Sequence, residues 1–174
     1  MKALFLTLLL SVCVVPTAFA EQYMTQEAFL TETFSGDAYK KKKLWLNKEM
    51  KQVAKQILKH DYNALRVRYW GAGQKTAWIL EEIGKERPIT IGVAVSNGQI
   101  DRVNILAFRE SRGWEVRYPF FTNQFKHIAV DDEYTLNKHI DGISGATLSV
   151  RAVKKVAALA LYLHTQTDFA DSSK

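Results

Sequence analysis

The sequence predicts an α+β fold in which an antiparallel sheet is packed by helices, and three observations carry that reading. "PITIGVAVSNGQIDRVNILAF" is two strand-like runs around Asn97-Gly98, apolar residues alternate from Leu65 to Leu80, and apolar stripes at helical spacing lie on either side. The chain shows no internal repeat and no low-complexity segment.

The elements follow in chain order. Met1 to Ala20 has Lys2 as a charged start, an apolar stretch through Val15, Pro16 as breaker and Ala18-Phe19-Ala20 at its end. This pattern is expected to be a secretory signal peptide cleaved after Ala20, giving a periplasmic or secreted protein. A retained anchor is the competing reading, because the 18 residues from Ala3 to Ala20 approach the length of a spanning helix. Pro16 and the small residues at the end favour cleavage. Val12 is too bulky to precede a lipidated Cys13.

Cleavage leaves 154 residues, enough for one domain with a sizeable core. Cys13 is the one cysteine, so the mature chain has no disulfide and no thiol nucleophile, and must stand on packing.

Thr25 is the expected N-cap of a short first helix carrying Phe29, Leu30 and Phe34. Leu46, Met50, Val53 and Ile57, widened by Ala54 and Leu58, predict a second, longer amphipathic helix. Leu65, Val67 and Tyr69 alternate with Arg66 and Arg68, and Thr76, Trp78 and Leu80 alternate after Gly71-Ala72-Gly73, which predicts two half-buried strands joined by a glycine turn. Asn97-Gly98 suits the positive φ angles of a two-residue hairpin. Pro119 opens a short helix through Phe125, and from Leu148 onward Val150, Val153, Ala157 and Leu161 form the stripe of a last helix. The N-terminal helices and strands, residues 21–87, are expected to belong to one globular unit with residues 88–165, with a polar tail over 166–174.

The full chain carries a formal charge of +6. Without Lys2, 23 basic and 18 acidic side chains remain, a formal +5. This invites a nucleic-acid or anionic-membrane reading. The densest run, Lys40 to Lys43, is read instead as the solvated face near the start of the second helix, since it lacks the interleaved aromatics of a single-strand binder. No nucleic acid is expected among the partners. The four histidines repeat no known ligand spacing, and neither a dinucleotide nor an ATP phosphate loop is present, so no metal, nicotinamide or ATP site is expected. Gly142-Ile143-Ser144-Gly145 lacks the spacing of a hydrolase nucleophile elbow.

One stretch concentrates chemistry. "DGISGATLSV", Asp141 to Val150, places Ser144, Gly145, Ala146 and Thr147 at the entrance of the last helix. There the first backbone N–H groups lack partners and the helix dipole offers partial positive charge, which suits a phosphate. Ser144, Thr147 and Ser149 add hydroxyls. On physics alone, hydroxyls that cap the helix account for the pattern as well.

Asp141 to Thr147 resembles the Asp-x-x-Ser/Thr-Gly-Ala-Thr motif of the FMN-binding domain family, which includes the C subunit of sodium-translocating NADH:quinone reductase and the G subunit of Rnf complexes. The resemblance runs from about Pro88 to about Leu163. Glu110-Ser111-Arg112-Gly113 is similar to the family's Glu-Thr/Ser-x-Gly element, which lies near the flavin in relatives. The resemblance implies FMN joined to Thr147 by a phosphoester bond, installed by a flavin transferase that uses FAD and magnesium. It implies further that Asp141, Ser144, Gly145, Ala146, Glu110 and Ser111 surround the cofactor. The family's role is electron carriage between a membrane redox donor and an acceptor that the sequence does not name. No histidine stands in the motif to activate the threonine, in keeping with an external transferase. Many relatives have Thr or Ser where this chain has Val150, which removes one phosphate contact. Trp114, Tyr118, Phe120 and Phe121 are candidates to flank the ring, with Trp114 foremost, although aromatics more often belong to a core. Glu110 either hydrogen-bonds near the ring or ends a strand in solvent. The other reading is a binding module of the same fold that carries no flavin and holds an anionic ligand or a protein partner.

Overall fold

The computed structural model describes residues 21–170, so the expected leader, Cys13 included, lies outside the described residues. Six strands form one antiparallel sheet: β1 Glu21–Gln22, β2 Lys40–Trp45, β3 Arg66–Ala72, β4 Lys75–Ile83, β5 Pro88–Ser96 and β6 Gln99–Phe108. Their order across the sheet is β1-β6-β5-β4-β3-β2. Residues 21–83 therefore complete the same sheet that the hairpin begins. Helices α1 Gln26–Phe34, α2 Lys48–Leu58, α3 Pro119–Thr122 and α4 Thr147–Thr165 cover it, the α+β arrangement expected from the sequence.

The hairpin is local chemistry realised. Asn97 and Gly98 both adopt positive φ, 52° and 72°, and β5 pairs with β6 from Ser96↔Gln99 outward. Thr25 caps α1 as expected, its hydroxyl accepting the Ala28 N–H at 3.1 Å. The short helix from Pro119 continues as a 3-10 turn through Phe125.

The lysine run is corrected. Lys40 to Lys43 do not start the second helix; they form edge strand β2, paired with β3 from Lys40↔Gly71 to Trp45↔Arg66. The helix begins only at Lys48, because the Asn47 side chain accepts the Met50 N–H at 2.8 Å and fixes the start there. Leu44 packs against the main core from β2, and Lys42 reaches Asp168 at 2.7 Å beyond the end of α4. Leu65, expected inside, is 70% exposed and precedes β3.

The two faces of the sheet are covered unequally. Helix α4 buries Val153, Val156, Ala157, Leu161 and Leu163 against one face, together with α2. A fully buried leucine of this kind contributes roughly 2–3 kcal/mol by leaving water. The other face carries a smaller cluster in which Phe29, Leu30 and Phe34 of α1 meet Trp70, Ala77, Ala94 and Leu106.

One polar network lies inside the main core. Trp78 donates its indole N–H to the Thr76 hydroxyl at 2.9 Å, and that hydroxyl lies 2.8 Å from Nδ1 of His164. Burial pushes the His164 pKa down to about 4. In the unfolded chain the imidazole titrates near 6.5, so below that pH only the unfolded state takes up the proton. Stability is full above pH 6.5 and falls as the pH drops towards 4. This histidine should remove about 2 kcal/mol between pH 8 and pH 5. Urea unfolding across that range should show the loss, and His164→Leu should flatten it. An equally steep decline in the variant would assign the effect elsewhere.

Candidate functional site

The helix entrance is held by backbone turns rather than by hydroxyl caps. Ile140 is buried, and the Asp141 N–H donates to the Gln124 side-chain oxygen at 2.7 Å, which ties the start of the motif to the turn after α3. The Ala146 N–H closes a turn onto the Ile143 carbonyl at 3.0 Å, and Gly145 takes φ +81°, a conformation that side chains resist. Helix α4 starts at Thr147 with Ala146 as N-cap and no side-chain cap. The hydroxyls of Ser144 and Thr147 are thus free of the capping role that propensity assigns them. Both residues are exposed, as are Gly145 and Asp141, whereas Ala146 is buried. The Asp141 carboxylate stands 3.7 Å from His139, both largely in solvent.

Ser149 turns inward. It is 4% exposed and faces Gly113, where a Cβ would meet the Ser149 hydroxyl oxygen at 2.5 Å and the Ala146 Cβ at 3.4 Å. Gly113 itself has φ +87°. The two sequence elements, 110–113 and 141–147, are therefore packed together, and a glycine makes the contact.

Glu110 is committed to a turn. One carboxylate oxygen accepts the N–H groups of Lys85, Glu86 and Arg87 at 2.5, 2.6 and 2.9 Å. Burial alone would raise its pKa, but the three donors outweigh it and hold the carboxyl below its usual range. Glu110→Ala should cost about 1–2 kcal/mol, as loss of a helix N-cap does, measured by urea unfolding at neutral pH. A change below about 0.5 kcal/mol, typical of an uninvolved surface position, would show that the turn does not depend on it. Ser111 and Arg112 lie exposed in the same connection.

Beyond Gly113 the aromatics separate into two groups. Phe121 and Phe125 are fully buried, edge to face at 5.4 Å. Trp114, Tyr118 and Phe120 are 39%, 38% and 61% exposed, with Trp114 edge-on to Tyr118 at 5.7 Å. The Arg117 guanidinium lies 5.1 Å from the Trp114 and Tyr118 rings and 4.2 Å from Tyr23. An exposed aromatic arc held by one arginine thus follows directly on the Gly113 contact.

On the α2 side, Thr147 lines a cleft of about 980 Å³ between α2, α4 and the 131–139 segment. The next turns of α4 bring Arg151, Lys154 and Lys155 to its wall, with Lys59 and Lys138 opposite. Lys155 is neutralised by the buried Glu82 at 2.9 Å, which also pairs with His60. Arg151 and Lys154 have no ion-pair partner among the described residues. Sequence reasoning passed over this cleft; its signal was the spacing of Arg151 and Lys154 at four and seven residues after Thr147 on one helix face.

An uncapped helix N-terminus with an exposed hydroxyl, small neighbours and unpaired cations is an arrangement that suits an anionic group. Residues 84–162 match the FMN-binding domain family. Among solved structures it resembles Shewanella oneidensis NqrC, with 17% identity, a TM-score of 0.57, and coverage of 79% of this chain and 85% of that one, a likeness in fold. No curated protein matches the chain. Among the described residues no helix is long and apolar enough to cross a membrane, and no cluster of three metal-ligating side chains is present.

Proposed function

We propose that the protein is an extracytoplasmic electron carrier holding FMN covalently through a phosphoester on Thr147. The observation that carries this reading is the Thr147 hydroxyl, exposed at an uncapped helix N-terminus and lining a cleft with unpaired Arg151 and Lys154. A phosphodiester at that atom would meet the helix dipole and two cations, while Gly145 leaves the approach open, with nothing within 4 Å of where its Cβ would stand. The exposed arc of Trp114, Tyr118 and Phe120 offers ring faces to a planar group beside the same helix end. Ser144, Gly145, Ala146 and Asp141 shape the phosphate end; Glu110 acts through the 84–87 turn, and Ser111 flanks the Gly113 contact.

Bound FMN supplies the electron transfer, and the chain supplies attachment, orientation and a local field. The family resemblance implies maturation by a flavin transferase that uses FAD and magnesium, in keeping with the absence of a histidine from the motif. The membrane donor and the final acceptor are partners defined by redox chemistry alone.

The intact mass of the protein, produced with and without the transferase, tests the reading. Expected is a chain that begins at Glu21 and is heavier by FMN less one water only when the transferase is present. A bare polypeptide mass in both cultures, while a control protein is flavinylated in the same cells, would leave the flavin-free binding module as the function to pursue.

A further inference from the structure

The lysine run that the flavin site does not use lies on a surface of its own. In the β2–β3 register, Lys41↔Trp70, Lys43↔Arg68 and Trp45↔Arg66 stand opposite one another, so these side chains share one face of the sheet. It is the face that α1 covers, since Trp70 packs there with Phe29, Leu30 and Phe34. That cover does not reach the outer ends: Lys41, Lys43, Arg66 and Arg68 are exposed, and Trp45 is 63% exposed. The Arg66 guanidinium sits 5.4 Å from the Trp45 ring. None of the four cations has an acidic partner among the described residues.

This arrangement works against the fold. Like charges directly opposite on paired strands repel, as Lys43 and Arg68 do, and the Arg66 contact returns only a modest gain to an indole left in water. Lysines on an edge strand do block sheet-to-sheet aggregation, but that purpose requires neither two arginines on the inner strand nor an exposed tryptophan. Cations surrounding an indole match the headgroup region of an anionic bilayer, where tryptophan rests at the interface and each lysine or arginine gains from the surface potential. An acidic protein would use the charges and leave Trp45 without a role. The patch also stands apart from the flavin end. Strand β2 is four strand spacings, about 19 Å, from β6, whose end leads to Glu110 and Gly113, and it faces away from α4.

We infer that the exposed β2–β3 face docks the protein on an anionic lipid surface, with Lys41, Lys43, Arg66 and Arg68 above the headgroups and Trp45 at the interface. Docking there leaves the α4 side turned away from the lipid.

The test compares binding of the protein to phosphatidylglycerol-containing and pure phosphatidylcholine vesicles at low and raised salt. Any contribution from residues 1–20 is common to all variants. Expected are preferential, salt-sensitive binding to the anionic vesicles and quenching of tryptophan fluorescence by brominated phosphatidylglycerol that is lost in Trp45→Phe. At about fivefold for each charge removed, Lys43→Gln with Arg68→Gln should weaken partition about 25-fold. Both substitutions relieve repulsion, so the melting temperature should not fall; Arg66→Gln, with about a fivefold loss, is the second variant. Equal binding to both lipids, anionic preference that survives the charge variants, or tryptophan quenching unchanged in Trp45→Phe would overturn the inference. So would binding of soluble polyglutamate with no quenching on vesicles, which would point to an acidic protein partner.

Discussion

Thr147→Ala should yield a colourless protein of bare polypeptide mass with its stability essentially intact, within about 0.5 kcal/mol of the parent. The two halves of that expectation have different physical origins. Flavin attachment needs a hydroxyl at this position, and none of the hydroxyls nearby replaces it: Ser149 is buried against Gly113, and Ser144 lies in the preceding turn. Stability survives because the Thr147 side chain caps nothing and is exposed. A capping threonine would cost about 1 kcal/mol when truncated. Thr147→Ser keeps the nucleophilic oxygen and should remain yellow. Mass spectrometry, visible absorbance and urea unfolding on the three proteins decide the matter. A loss of 1 kcal/mol or more in the alanine variant with no flavin on the parent would make this residue a cap after all.

Gly113→Ala should be damaging in the opposite sense, through the fold first. A side chain at φ +87° costs about 1–2 kcal/mol. Its Cβ would also stand 2.5 Å from the Ser149 hydroxyl in a buried contact, and overpacking of that kind costs about 1–3 kcal/mol more. The expected total is roughly 2–5 kcal/mol in urea unfolding, with reduced flavin loading because Ala146 and the helix entrance must shift. Adding Ser149→Ala removes the clashing oxygen and should restore the packing part while the backbone strain persists. A single variant within about 0.5 kcal/mol of the parent would mean that the two elements can separate freely.

What the sequence made legible was local. Asn97-Gly98, Thr25 and Pro119 each act on the few residues beside them, and their elements form where those residues demand. The stripe of Val150, Val153, Ala157 and Leu161 marks α4 because one helix face repeats its own pattern. The lysine run misled because four identical residues have no periodicity, and an edge strand receives half its partners from elsewhere in the chain. Asn47 held the correction in plain view as a helix cap. For the site, the motif singled out Thr147 as a candidate, and the resemblance singled out Glu110 to Gly113. Their contact became visible only with the fold, as did the turn at 85–87 that occupies Glu110. The cleft was hidden for the same reason: α2, the 131–139 segment and α4 meet only when the sheet has formed.

The strand order carries a kinetic consequence. β1 and β2 are separated in the chain by one short helix, yet they form the two outer edges of the sheet, and Glu21 finds its partner in Phe108. The first strand therefore cannot be secured until the last has been made, and the sheet closes through contacts that are distant in sequence. Such topologies fold slowly, on the millisecond-to-second scale rather than in microseconds. A nascent chain of this design can pair β2 to β5 in turn, but its first strand stays unpaired until β6, nearly two-thirds of the way along, has emerged.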